Sequence, residues 1–170
     1  MKKLEDLIRT YKDFPKKGID FKDVLEILQY PDVFRELILK MSSTQFLKNA
    51  EAIISIDARG FIFGSAVALE SSKPMIVARK PGKLPGHLLT REYDLEYGKN
   101  SLSIQISALK KFNSFVIVDD LLATGGTVNC ISRLLQDQGK IIQGLITLVE
   151  LKKLKGRLNL DFPVQSIISL

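Results

Sequence analysis

Four short apolar runs set the architecture open to this chain: Ala52–Ile56, Met75–Ala78 and residues 115–118 and 141–149. They are too continuous for half-exposed strands, so they read as strands buried on both faces, the pattern of a parallel sheet. Between them lie stretches with helical spacing. One covers 61–70; the other covers 127–138 and is followed by Gly139, at the position that favours a left-handed C-terminal cap. Strand and helix alternating in this way predict an α/β fold, a parallel twisted sheet flanked by helices.

Upstream of the runs, Leu4, Leu7 and Ile8 fall at helical spacing within 2–11, which predicts a short helix. An irregular stretch over 13–22 follows, with Pro15 and Gly18 in it. A second helix is expected over 32–47, where Asp32 can cap and Val33, Phe34, Leu37, Ile38 and Met41 share a face. Residues 80–98 break the alternation with Pro81, Gly82, Pro85, Gly86 and Gly98 and show no strong period. Long segments without regular structure commonly serve as lids or binding loops.

A chain of 170 residues is expected to form one domain. Its apolar share of 45% against 26% charged residues is that of a folded globule, not of a disordered or fibrous chain. The net charge of +6 favours anionic partners. The cations are scattered in pairs such as Lys16-Lys17 and Lys152-Lys153, so no nucleic-acid-binding arm is expected. One cysteine, Cys130, cannot form an intrachain disulfide, and the lone His87 has no cysteine beside it to suggest zinc. The start of the sequence is amphipathic and acidic, without a signal core, and no apolar run reaches membrane-spanning length. A cytoplasmic location, with no membrane partner, is the expectation.

The most specific signal is Phe115-Val116-Ile117-Val118-Asp119-Asp120-Leu121-Leu122-Ala123-Thr124-Gly125-Gly126-Thr127, a strand running into two acids and a glycine turn before a helix. In a parallel sheet, ligands sit outside the carboxyl ends of the strands. Gly125 and Gly126 allow close backbone approach, and the amides from Thr124 to Thr127 can form a nest for a phosphate at the helix start. Asp119 and Asp120 would repel that phosphate in direct contact but can accept hydrogen bonds from a ribose diol beside it. The run lacks the Gly-Lys-Ser/Thr of a Walker loop and the three spaced glycines of a dinucleotide fingerprint. Kinase and dehydrogenase readings lose ground accordingly.

A second strand ends in Asp57-Ala58-Arg59-Gly60-Phe61, where Arg59 and the amides after it offer a fork of donors for another anionic group. The third ends in Arg79-Lys80-Pro81-Gly82-Lys83, which brings more positive charge to the same sheet edge. A basic cluster of this kind is by itself a solvated face; its position after a buried strand makes it a candidate anion site.

The strand, acid pair and Thr-Gly-Gly-Thr turn resemble the signature of the phosphoribosyltransferase family. Residues 57–64, 79–86 and 93–98, Leu148-Val149-Glu150-Leu151 with Leu154-Lys155-Gly156-Arg157, and Phe14-Pro15 with 18–23 are similar to the adenine-specific members, so the likeness spans nearly the whole chain. The resemblance implies transfer of ribose 5-phosphate from phosphoribosyl pyrophosphate to adenine, giving AMP and pyrophosphate. It implies that the 5′-phosphate lies on Ala123, Thr124, Gly125, Gly126 and Thr127, the ribose on Asp119 and Asp120, and the pyrophosphate on Arg59, Gly60, Arg79, Lys80 and Lys83.

By the same resemblance, about 1–30 form the N-terminal helix and a hood over the base, with Asp20, Phe21, Lys22 and Leu121 around the purine. About 80–100 form a flexible loop carrying Glu96, which exchanges a proton with the base, and Arg59 shares the catalytic role. Mg²⁺ is implied as cofactor, held through pyrophosphate and ribose, and a homodimer as the assembly. Another 6-substituted purine as substrate, or a DNA-binding regulator built on this fold, are the competing readings.

Overall fold

The computed structural model describes residues 3–95 and 98–170. A five-stranded parallel sheet forms its centre, from β3 (Ala52–Ile56), β4 (Met75–Ala78), β7 (Ser114–Leu122), β8 (Ile141–Glu150) and β9 (Val164–Ser169) in the order β4-β3-β7-β8-β9. Two antiparallel ribbons accompany it: β1 (Arg9–Tyr11) with β2 (Phe21–Asp23), and β5 (Leu88–Leu95) with β6 (Gly98–Gln105). The helices are α1 (Pro31–Ser42), α2 (Gln45–Asn49), α3 (Gly60–Ser71), α4 (Ile106–Leu109) and α5 (Gly126–Gln136).

Side chains alternate across the central strands into two apolar layers. Ile53, Val116 and Val118 pack with Leu37, Met41, Phe63 and Val67 of α1 and α3. Ile54, Phe115 and Ile117 pack with Ile131 and Leu135 of α5 and with Leu102 and Ile104 of β6. Burying a side chain of this size contributes about 1.5–3 kcal/mol, so both faces of the sheet hold it in place. Gly139 takes the left-handed conformation (φ +66) just past α5, as its sequence position implies.

The strand order reverses direction between β3 and β7, which pair with Ser55 opposite Val118. A crevice at such a reversal is where open α/β sheets bind ligands. The loops after β3 and β7, which carry the two strongest sequence signals, therefore start side by side.

Elsewhere the structure departs from the sequence expectations. The helix expected over 2–11 is a single 3-10 turn, Leu4–Leu7, followed by β1; one turn gains too few hydrogen bonds to extend alone, and Arg9 to Tyr11 pair with β2 instead. The helix expected over 32–47 starts at Pro31 and divides, because Thr44 accepts the Leu47 N–H (3.4 Å) and starts α2. The aperiodic excursion over 80–98 contains β5, paired with β6. Leu89 and Tyr93 of that ribbon turn inward toward Leu102 and Ile104, an alternation that the nearby glycines and prolines obscure. β9 was not expected: as an edge strand it is only partly buried, and its polar residues hide the apolar pattern.

Candidate active site

Strand β7 runs through the acid pair to Leu122, so Asp119 and Asp120 belong to the last part of a strand and are almost wholly buried. The Asp120 N–H donates to Asp119 Oδ1 (2.9 Å). Burial first, and then the neighbouring Asp120 charge, push the Asp119 carboxyl well above the ordinary aspartate range; burial also raises Asp120, against the pull of Arg59. The two titrate as a pair.

Arg59 bridges the elements around this pair. Its Nε lies 2.8 Å from Asp120 Oδ2, out of line for a hydrogen bond, while NH1 donates to the Lys22 carbonyl (3.1 Å). Its guanidinium carbon sits 4.8 Å from the centroid of the Phe21 ring, and Phe14 meets that ring edge-on at 5.2 Å. The loop after β3, the end of β7 and the β1–β2 ribbon thus converge on one guanidinium. Gly60 packs closely there: a Cβ would stand 2.6 Å from Asp119 Oδ1, so a side chain at this position would force the carboxylate to shift.

The turn after β7 leads into α5 through Gly125, whose φ of +85 places it in the left-handed region. Thr124 is exposed, and Gly126 and Thr127 are half-buried. Tyr93 of β5 reaches this turn, its hydroxyl 3.5 Å from Thr127 Oγ1. A cleft of about 540 Å³ opens alongside, lined by Thr124, Gly126, Asn129 and Arg133 among others.

The basic cluster is more dispersed. Arg79 donates to Asp57 Oδ2 (2.9 Å) and lies over Phe61, so it packs at the end of β3. Lys80 and Lys83 are exposed; the Lys83 carbonyl accepts from Arg79 NH1 (3.4 Å). In the ribbon, Asp20 is exposed and Lys22 donates to Thr10 Oγ1 (2.8 Å). Leu121 is half-buried against the α1/α3 layer. Glu96 lies outside the described residues. Sequence reasoning missed Asp57 as the partner of Arg79, Tyr93 as a neighbour of the turn, and Asn159, whose Nδ2 donates to the Thr124 carbonyl (2.8 Å). Only Asp57 and Tyr93 stood beside recognised motifs; Asn159 carried no signal.

The acid pair and the glycine turn lie at the reversal of a parallel sheet, and the family described as phosphoribosyl transferase domain matches residues 22–170, which makes the chain a member of that class. The chain is 84% identical to the adenine phosphoribosyltransferase of Prochlorococcus marinus (strain AS9601), over all of both chains. It also superimposes on the crystal structure of adenine phosphoribosyltransferase from Thermoanaerobacter pseudethanolicus, with a TM-score of 0.91, 40% identity and 98% of each chain covered. The Saccharomyces cerevisiae adenine phosphoribosyltransferase, complexed with an imino-altritol bisphosphate and adenine, gives 0.87 at 31% identity, covering 97% of this chain and 96% of that one. The chain belongs to the adenine phosphoribosyltransferase family.

Proposed function

We propose that this enzyme converts adenine and phosphoribosyl pyrophosphate to AMP and pyrophosphate, as a single cytoplasmic domain acting in a homodimer. The observation that carries the reading is the convergence of Asp119, Asp120, Arg59 and Phe21 beside the 123–127 turn. Among the described residues no helix is long and apolar enough to cross a membrane.

In this reading the main-chain N–H groups and hydroxyls of the turn hold the 5′-phosphate, each contributing modestly. Asp119 and Asp120 take the ribose hydroxyls; a pair raised by burial can both accept and donate hydrogen bonds to a diol. Adenine stacks on Phe21, between the ribbon around Asp20 and Lys22 and the side chain of Leu121. Arg59 then leaves Phe21 and Asp120 for the pyrophosphate, joined by Gly60, Arg79, Lys80 and Lys83.

Among the described residues no three His, Cys, Asp or Glu side chains converge on a metal position. This donor set fits Mg²⁺ held chiefly through substrate oxygens beside the acid pair, the usual way this cation is bound with phosphates. Bound there, it would neutralise charge developing on the leaving group. The C1–O bond to pyrophosphate breaks, positive charge spreads over the ribose ring, and adenine N9 forms the new bond to C1. Arg59 stabilises the departing pyrophosphate, and Glu96 exchanges the proton of the base. The β5–β6 ribbon excludes water from the activated sugar.

The test is a panel in which protein, Mg²⁺ and phosphoribosyl pyrophosphate meet adenine, hypoxanthine, guanine or xanthine. Nucleotide formation with adenine alone is expected. Turnover of another base in preference to adenine would overturn the assignment.

A further inference from the structure

The end of β8 and the segment after it contain Glu150, Gly156 and Arg157, for which the proposed chemistry has no role. Glu150 ends β8 with its side chain buried. Its Oε1 accepts from Arg157 Nε (3.0 Å), and its Oε2 accepts from Arg157 NH2 (2.5 Å) and from Ser166 Oγ (2.9 Å). Arg157 NH1 donates to the Val164 carbonyl (2.6 Å), so all three guanidinium nitrogens are engaged. Bidentate charge-assisted pairs of this kind are among the stronger hydrogen-bonding arrangements in proteins. The Arg157 hydrogen bonds pull the Glu150 carboxyl below its ordinary range against the opposing effect of burial, which keeps it ionised at neutral pH.

Next to this pair the backbone touches the phosphate turn. A Cβ on Gly156 would stand 2.1 Å from the Ala123 carbonyl oxygen, and one on Gly125 would stand 2.7 Å from that of Gly156. Asn159 Nδ2 holds the Thr124 carbonyl, and the Leu151 N–H donates to Leu122 O (2.9 Å). Because a peptide is planar, fixing the Thr124 carbonyl also fixes the direction of the Gly125 N–H.

We infer that Glu150, Arg157 and Asn159 are positioning residues for the 5′-phosphate: the Glu150–Arg157 pair anchors 156–159, and this segment braces the 123–126 turn from behind. The inference rests on the reading of that turn as the phosphate cradle. Its signature is selectivity. Ligands that carry a 5′-phosphate, namely phosphoribosyl pyrophosphate, AMP and ribose 5-phosphate, weaken together, while adenine and pyrophosphate do not.

Asn159→Ala removes one hydrogen bond from an exposed side chain, and Arg157→Gln removes the fork. Arg157→Lys keeps the charge but cannot span both carboxylate oxygens and the Val164 carbonyl. For Asn159→Ala, the KM for phosphoribosyl pyrophosphate and the KM for AMP in the reverse reaction are expected to rise about two- to tenfold, the factor that one hydrogen bond carries. The KM values for adenine and pyrophosphate should stay within about twofold of the parent, less than the change one hydrogen bond produces. Arg157→Gln should do the same more strongly, without rescue by Arg157→Lys. Should Arg157→Gln fail to fold, Asn159→Ala decides alone.

Unchanged KM values for the phosphorylated ligands in folded variants, or an equal rise for pyrophosphate, would overturn the inference. Calorimetric titration with ribose 5-phosphate needs no turnover, so it tests the brace even if the parent enzyme forms no AMP, a result that would strike only the proposed reaction.

Discussion

Arg59 stands 2.8 Å from Asp120 through its Nε and 4.8 Å from the Phe21 ring centroid, and so joins the acid pair to the β1–β2 ribbon. Both places are ones that substrate is proposed to take, so the guanidinium must be displaced as the site fills. Arg59→Gln is expected to lower kcat by about 10²–10³-fold, the usual loss when one donor to a developing anion is removed. Steady-state kinetics with phosphoribosyl pyrophosphate varied would measure it. Undiminished turnover would take Arg59 out of the mechanism.

The acid pair makes stability oppose function. In the unfolded chain an aspartate titrates near about 3.9; folded, Asp119 holds its proton to higher pH because it is buried beside Asp120. The folded state then binds more protons, and stability declines as pH rises from the unfolded value through the raised one. Asp119→Asn removes that decline. It should melt higher than the parent at neutral pH, with the advantage fading in acid as the parent's carboxyl becomes protonated, and it should bind ribose poorly. Melting curves recorded across that pH range, alongside turnover, would show a midpoint gain and an activity loss in the same variant; a lower midpoint at neutral pH would contradict the argument.

Gly60 has no room for a methyl group, with Asp119 Oδ1 2.6 Å from where it would be. Gly60→Ala should cost about 1–3 kcal/mol through overpacking and shift Asp119 away from the sugar. Urea denaturation and the KM for phosphoribosyl pyrophosphate would both report it.

Glu96 rests on sequence resemblance alone. If it exchanges a proton with the base, Glu96→Gln should reduce kcat by about 10²–10⁴-fold and leave phosphoribosyl pyrophosphate binding intact. Equal activity would assign the proton to another group.

Legibility in the sequence followed burial. Ala52–Ile56 could be read as a strand to the residue because a fully enclosed strand leaves no polar alternation to confuse, and Met75–Ala78, an edge strand with alternating burial, because all four of its residues are apolar. Asp119 and Asp120 stood out as a candidate site, but not as buried strand residues, since charge at a strand end looks like a loop until the neighbouring strands cover it. Val164–Ser169 escaped because an edge strand has one hydrogen-bonded neighbour and tolerates polar residues. The pairing of Arg79 with Asp57 and of Asn159 with Thr124 joins residues far apart in the chain, which single-sequence periodicity does not encode.

The β1–β2 ribbon is a sheet of its own, separate from the one that carries the acid pair and the glycine turn. Under the proposed function, residues along this small N-terminal flap help to choose the heterocycle, and Arg59, which touches both Phe21 and Asp120, ties that choice to the machinery that activates the sugar.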